Sequence, residues 1–346
     1  MSIKPADLFS ELDTAVDLHS LPAAAINVNS WPDARAVMYE QVVVPQYGPL
    51  PPKPLAVQSR ILNTSRSKVF GGGAYETVQI CAETPVESFT FTMMLTTPAG
   101  NGPFPVMVCG DGCWPYVTME CVLWALKNGF AVALFNRTEL APDTASLGRE
   151  CGIYPHYPDL PFGALAAWAW GFQRCVDALS EHPSIDSSKI GVTGHSRGGK
   201  ASLLAGATDE RIAFVSANNS GCGGAGCHHV HGDNCEKLEH ILANFPYWFT
   251  PDLQRFIGKD ADLPFDQHLF KAMVAPRPLL TTEAIGDLWA NPYGSWLSHL
   301  AASEIYAKIG HPDAIATRYR EGGHAYTFAD WQTILSHASI LFDLSE

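Results

Sequence analysis

Lys189-Ile190-Gly191-Val192-Thr193-Gly194-His195-Ser196-Arg197-Gly198-Gly199-Lys200 is the stretch on which the fold of this chain turns. A short apolar run leads into Gly194-His195-Ser196-Arg197-Gly198, and Lys200-Ala201-Ser202-Leu203-Leu204-Ala205-Gly206-Ala207 follows. That order spells strand, sharp turn, helix. Small residues two before and two after the serine let strand and helix pack closely. They leave the serine in a strained turn with its hydroxyl exposed. A Gly-rich turn without chemistry is the structural alternative, and the flanking strand and helix weigh against it.

Working outward, strands and helices alternate. Runs near 57–63, 76–82 and 88–96 suit an antiparallel start to a sheet, and Phe104–Cys109 reads as a fully buried strand. Met119–Lys127 reads as helix, 130–135 as strand, and Leu165–Leu179 as a helix rich in Ala and Trp. After the elbow come strands over 212–217, 277–282 and 316–320, with a helix over 296–309. Residues 6–17 read as a short helix, and the Pro-rich stretch 45–54 as an extended segment wrapping the surface. The alternation implies a mostly parallel sheet with helices on both faces. With the G-x-S-x-G turn it gives an α/β-hydrolase fold, a three-layer sandwich. We expect a single catalytic domain over 1–346, with an N-terminal extension 1–55 and an insertion over about 219–270.

Of the 346 residues, 47% are hydrophobic and 16% charged, a balance that belongs to a well-buried globular chain. The formal net charge of −13 weighs against binding nucleic acid or anionic lipid through a basic surface. No run reaches the length of about twenty apolar residues that spans a bilayer. The first residues, Met1 to Asp7, lack the apolar core of a signal peptide, which points to a cytoplasmic protein or to a chain trimmed to its mature form. Nine cysteines without scaffold spacing read as reduced, mostly buried thiols.

A serine hydroxyl needs a base, and the base an orienting acid. In this fold the chain order is serine, acid, histidine. Glu321-Gly322-Gly323-His324-Ala325 follows the 316–320 strand and supplies His324; an incidental loop histidine is the alternative. The loop after the preceding strand offers Asp287 and Glu283. Asp287 follows a glycine in a turn and is favoured, though either could be a cap or a solvated charge. Cys222, Cys227, His228, His229, His231 and Cys235 form a dense cluster, but their spacing matches no common zinc signature. No metal or cofactor is therefore assigned. His195 reads as a packing residue of the elbow, and Asp266 as a helix cap.

Gly191 to Lys200 resembles the elbow signature of the glucuronoyl esterases, carbohydrate esterase family fifteen. Ala167-Trp168-Ala169-Trp170-Gly171-Phe172 with Arg174 and Asp177 is similar to that family's helix before the elbow. Ser220-Gly221-Cys222-Gly223-Gly224-Ala225, Phe245–Phe249, Leu263–His268, Ala275-Pro276-Arg277-Pro278 and Asp287–Ala290 resemble bacterial members in order and spacing. The resemblance runs from about residue 36 to the C-terminus. It implies cleavage of esters of (4-O-methyl)glucuronic acid, as in lignin–carbohydrate linkages. It also implies Ser196 as nucleophile, His324 as base and Arg197 as an oxyanion donor, with Lys200, Glu236 and Trp289 facing the sugar. Many members carry the acid as a glutamate where this chain has Asn219, which moves the expected acid to Asp287. Fungal members have a cysteine where His195 stands. A polymer-degrading esterase should be exported, so a cytoplasmic form would take small imported esters. Rival expectations are an acetyl xylan or other small-ester esterase, and a non-catalytic sugar-binding relative.

Overall fold

A computed structural model gives the structure of the chain and describes residues 30–344. The helix read over 6–17 lies outside the described residues. The frame is one nine-stranded sheet in the order β1-β2-β3-β5-β4-β6-β7-β8-β9. The strands are β1 (Ala56–Arg66), β2 (Ala74–Glu83), β3 (Ser88–Thr96), β4 (Phe104–Cys109), β5 (Ala131–Phe135), β6 (Ile185–Thr193), β7 (Phe214–Asn218), β8 (Leu279–Ala284) and β9 (Ile315–Arg320). β1, β2, β3 and β5 pair antiparallel. The run β5-β4-β6-β7-β8-β9 is parallel throughout. β2 alternates buried and half-buried residues, whereas β7 and β8 are buried along their whole length. Strands covered by crossover helices are buried on both faces, and their polar side chains, Ser216, Asn218, Thr281, Thr282 and Glu283, are buried with them.

The principal helices are α1 (Trp31–Met38), α2 (Met119–Lys127), α3 (Ala164–Ser180), α4 (Arg197–Thr208), α5 (Leu238–Asn244), α6 (Gln267–Ala272), α7 (Pro292–Lys308) and α8 (Phe328–Leu341). The two faces of β4 show the layering. Val106 and Val108 join the core that contains Trp168, Trp170 and Phe172 of α3. Met107, between them, joins the core built by α2 and by Trp331, Ile334 and Leu335 of α8. Helices therefore cover both faces, as an α/β-hydrolase sandwich requires. Trp168 is fully buried, and truncating it to Ala would cost about 3–5 kcal/mol.

The expectation for 45–54 needs correction at its start. Tyr39–Val43 is a π turn and Val44–Tyr47 a helical turn, so this part neither extends nor lies on the surface. Tyr47 is fully buried; its hydroxyl donates to the Gly223 carbonyl at 2.9 Å, and its ring stacks on Phe249. Burying that ring outweighs the extended preference of the prolines. α8 was not anticipated, nor was the early start of α7. Thr327 with Asp330 forms a capping box for α8, and the Asn291 side chain accepts the Gly294 N–H at 2.9 Å to begin α7. Segment 219–278 joins β7 to β8 and carries α5 and α6.

Candidate active site

β6 delivers Ser196 to the elbow with φ 54° and ψ −119°, a conformation that costs energy for any residue with a Cβ. Its neighbours leave no alternative to glycine. A Cβ on Gly194 would lie 2.3 Å from the Gly198 carbonyl oxygen, and one on Gly198 would lie 2.1 Å from Asp111 Oδ1. The backbone is pinned on both sides: Ser196 N–H donates to Asn218 O at 2.8 Å, and His195 N–H to Asp111 Oδ2 at 2.9 Å. Asp111 is buried and pairs with buried Arg137 at 3.3 Å.

His324 comes from the exposed loop after β9, and Asp287 from the loop after β8. His324 Nδ1 stands 2.6 Å from Asp287 Oδ2, with the carboxylate 3% exposed and the imidazole 45% exposed. Two backbone bonds set this approach, Ile285 N–H to Arg320 O and Gly286 N–H to Gly322 O, each 2.9 Å. Gly322 has φ +104°, a value that favours glycine. Glu283 is placed elsewhere. It is buried, and burial pushes its carboxyl up against the attraction of the Lys271 charge.

His195 packs as an elbow residue. Its Nδ1 meets Asn218 Oδ1 at 2.6 Å, while the Asn218 amide donates to Thr282 Oγ1 at 2.9 Å. The carbonyl oxygen thus accepts and Nδ1 carries the proton. Burial holds the ring down at about 4, so it is neutral at physiological pH. It lies 4.6 Å from the His324 ring.

Ser196 and His324 open on a cavity of about 210 Å³ whose walls include Arg197, Lys200, Glu236 and Trp289. Lys200 is buried and its Nζ donates to the Ser220 carbonyl; burial lowers its pKa, with Glu236 opposing. Burial raises Glu236 in turn, with Lys200 opposing. The Glu236 N–H donates to the Trp289 carbonyl at 2.9 Å, which joins the two sides of the cavity. Trp289 is half-exposed and its ring faces His240 at 5.2 Å. Arg197 lies over Trp248 at 4.6 Å and Phe245 at 4.9 Å, and its Nη1 donates to Asp143 Oδ2 at 2.8 Å.

Asp143 escaped the sequence reading. It also receives the Tyr247 hydroxyl at 3.0 Å, Trp248 Nε1 at 2.9 Å and Arg137 at 3.3 Å. Pro142-Asp143-Thr144 reads as an ordinary turn, and nothing local reveals donors about a hundred residues away. Asn219 is structural. At φ +43° its Oδ1 accepts the Ala284 N–H at 2.7 Å, and its amide donates to Ala325 O at 3.3 Å, tying β8 to the His324 loop.

Three members of the Cys/His cluster, Cys227, His228 and His229, are gathered by Asp266, which caps α6 through Gln267 N–H at 2.6 Å. The same carboxylate accepts Cys227 Sγ at 2.9 Å, the N–H groups of His228 and His229 at 2.8 and 3.0 Å, and His229 Nδ1 at 2.8 Å. Among the described residues no group of three or more His, Cys, Asp or Glu side chains is placed to hold a metal ion. None of the nine cysteines is in a disulfide. No helix among the described residues is long and apolar enough to cross a membrane.

A serine elbow at the end of a central parallel strand, with an imidazole and a carboxylate on the loops after the last two strands, defines an α/β-hydrolase. The sequence model described as "Glucuronyl esterase, fungi" matches residues 80–310, and the chain belongs to the glucuronyl esterase family. It is 30% identical over 308 residues to the 4-O-methyl-glucuronoyl methylesterase of Cerrena unicolor, covering 86% of this chain and 61% of that one. It is 33% identical over 235 residues to carbohydrate esterase MZ0003 of an unknown prokaryotic organism, covering 62% and 54%. The chain thus spans roughly half to two thirds of the length of the curated relatives it matches. Among solved structures, the carbohydrate esterase family 15 glucuronoyl esterase of Caldicellulosiruptor kristjansonii superposes with a TM-score of 0.81 at 27% identity, over 97% of this chain and 93% of that one. The glucuronoyl esterase of Solibacter usitatus gives 0.83 at 25% identity, over 95% and 100%.

Proposed function

We propose that this protein is a serine carboxylic-ester hydrolase that cleaves esters of (4-O-methyl)glucuronic acid. The observation that carries the reading is the His324–Asp287 contact, at the mouth of the cavity that also holds Ser196, Lys200, Glu236 and Trp289. Asp287 orients the imidazole, so that Nδ1 keeps its proton and Nε2 is free to act as base. His324 takes the Ser196 proton as Oγ attacks the ester carbonyl. The tetrahedral oxyanion is stabilised by the Arg197 guanidinium, which Asp143 has already aimed. The intermediate collapses as His324 gives the proton to the departing alcohol. Water, activated by the same imidazole, then releases the uronic acid and restores Ser196. No cofactor or metal enters this cycle.

The cavity chemistry supports a sugar ring as the acyl half. Lys200 and Glu236 offer a donor and an acceptor to ring hydroxyls, and an indole face suits the apolar side of a pyranose. Relatives named 4-O-methyl-glucuronoyl methylesterases support the same acyl group. An ester panel tests the assignment: methyl and benzyl glucuronate beside acetylated xylan and aryl acetates. Preferential turnover of the uronate esters is expected; preference for the acetyl esters would transfer the protein to the acetyl esterases.

A further inference from the structure

The catalytic cavity shares a wall with a larger one. The wall is the turn Phe245–Phe249. Phe245 and Trp248 stack at 4.0 Å and line the cavity of Ser196. Pro246, Tyr247 and Phe249 line the other side. That outer cavity holds about 520 Å³, inside the range of about 300–1,000 Å³ typical of ligand pockets. Its remaining walls come from the connection between β5 and α3. One of them is fixed before any ligand arrives. Tyr154 stacks on Phe162 at 5.1 Å, and the Arg149 guanidinium lies over the two rings at 4.2 and 4.8 Å. The same guanidinium donates to the Phe162 and Leu160 carbonyls at 2.6 and 2.7 Å. A preformed wall spares a ligand the cost of ordering it.

The rim selects the ligand. Arg149 and Asp159 both line the cavity and both are exposed. Among the described residues neither is in an ion pair. An anion would be drawn by Arg149 and repelled by Asp159, and a cation the reverse. A neutral ligand rich in hydroxyls satisfies both, since the carboxylate accepts from O–H and the guanidinium donates to oxygen. Between these charges, the half-buried Tyr247 ring with Pro142 and Pro161 offers apolar surface to the C–H faces of a pyranose. The catalytic cavity, about 210 Å³, suits one sugar ring, and the outer cavity is more than twice that size. We propose that the outer cavity is a second carbohydrate site, separate from the catalytic one, that takes two or three linked neutral pyranose rings. The site goes beyond the ester-hydrolase reading and needs no turnover. Tyr247 belongs to both sides of the wall, because its hydroxyl donates at 3.0 Å to Asp143, the carboxylate that holds Arg197.

The test is ligand-observed NMR titration with xylotriose and cellotriose, neutral trimers without and with hydroxymethyl groups. The wild type should bind at least one of them with Kd on the order of 1 mM. Glu236→Ala, which strips an acceptor from the catalytic cavity, should leave that Kd within about twofold. Ala145→Trp places an indole at the exposed edge of the outer cavity and should weaken binding by about tenfold or more. Asp159→Asn should weaken it about two- to tenfold, and it decides the matter if thermal melting shows Ala145→Trp to be unfolded. No binding of either trimer by the wild type at about 20 mM would overturn the proposal. Binding lost in Glu236→Ala but kept in Ala145→Trp and Asp159→Asn would return the sugar to the catalytic cavity and overturn it too. Tighter binding of trigalacturonate or of 3-phenyl-1-propanol than of either trimer, measured in Glu236→Ala, would give the cavity to an acidic or an aromatic ligand instead. Failure of the wild type to cleave any ester leaves this test unaffected.

Discussion

Replacing Asp287 with Asn removes a charge without removing bulk. The carboxylate lies 2.6 Å from His324 Nδ1 and is 3% exposed, so it attracts the imidazolium from a poorly solvated position. Two unit charges about 4 Å apart interact by about 4 kcal/mol at an effective dielectric of about 20. The imidazole is 45% exposed, and water screens part of this, leaving about 2–4 kcal/mol. That corresponds to a fall of about 30- to 1,000-fold in kcat. The asparagine amide can also donate to Nδ1, which favours the wrong tautomer and moves the loss toward the upper end. The assay is kcat on saturating methyl glucuronate, with thermal melting to show that the variant is folded. Glu283→Gln tests the rival acid, since Asp287 supplies the carboxylate at His324 Nδ1 and Glu283 is buried in the field of Lys271. A kcat for Asp287→Asn within about threefold of wild type, or a larger loss in Glu283→Gln, would refute the reasoning.

Three further outcomes are expected. Asp143→Ala should lower kcat by about tenfold or more with a smaller change in KM, because Arg197 loses the anchor that aims it; a change in KM alone would contradict this. Gly198→Ala should lower Tm and activity together, by about 1–3 kcal/mol in stability, because the new Cβ displaces the carboxylate that holds the His195 N–H; wild-type melting would count against it. Burial holds His228 down at about 4, so the folded protein declines a proton that the unfolded chain accepts below its ordinary 6.5. The stability it contributes is whole above about pH 6.5 and is lost as pH falls toward 4. Between pH 7.5 and pH 5 the wild type should therefore lose roughly 2 kcal/mol relative to His228→Gln in urea unfolding, and parallel losses would contradict the assignment.

Much of the frame was legible because its signals are local. The Gly194–Gly198 spacing marks a turn that tolerates no Cβ at either glycine, and the apolar strands announce themselves by composition. Asp287 stands out in the sequence because it follows a glycine in a turn after the penultimate strand, with Glu283 left open beside it; the folded chain puts the Asp287 carboxylate 2.6 Å from His324 Nδ1. Other features depend on distant partners. The start of the proline-rich stretch is helical as far as Tyr47, whose ring packs on Phe249 and whose hydroxyl reaches the Gly223 carbonyl. Asp143 matters through donors from residues 137, 197, 247 and 248, which only the folded chain assembles. In the Cys/His cluster, Cys227, His228 and His229 are gathered by Asp266, which lies outside it in the sequence.

The central claim is that Ser196 opens glucuronate esters with His324 as base. It is tested most directly by following release of free uronic acid from methyl glucuronate by the wild type and by Ser196→Ala at matched concentrations. The account predicts steady release by the wild type and none above the uncatalysed rate by the variant. Equal release by both proteins, or none by the folded wild type, would contradict it.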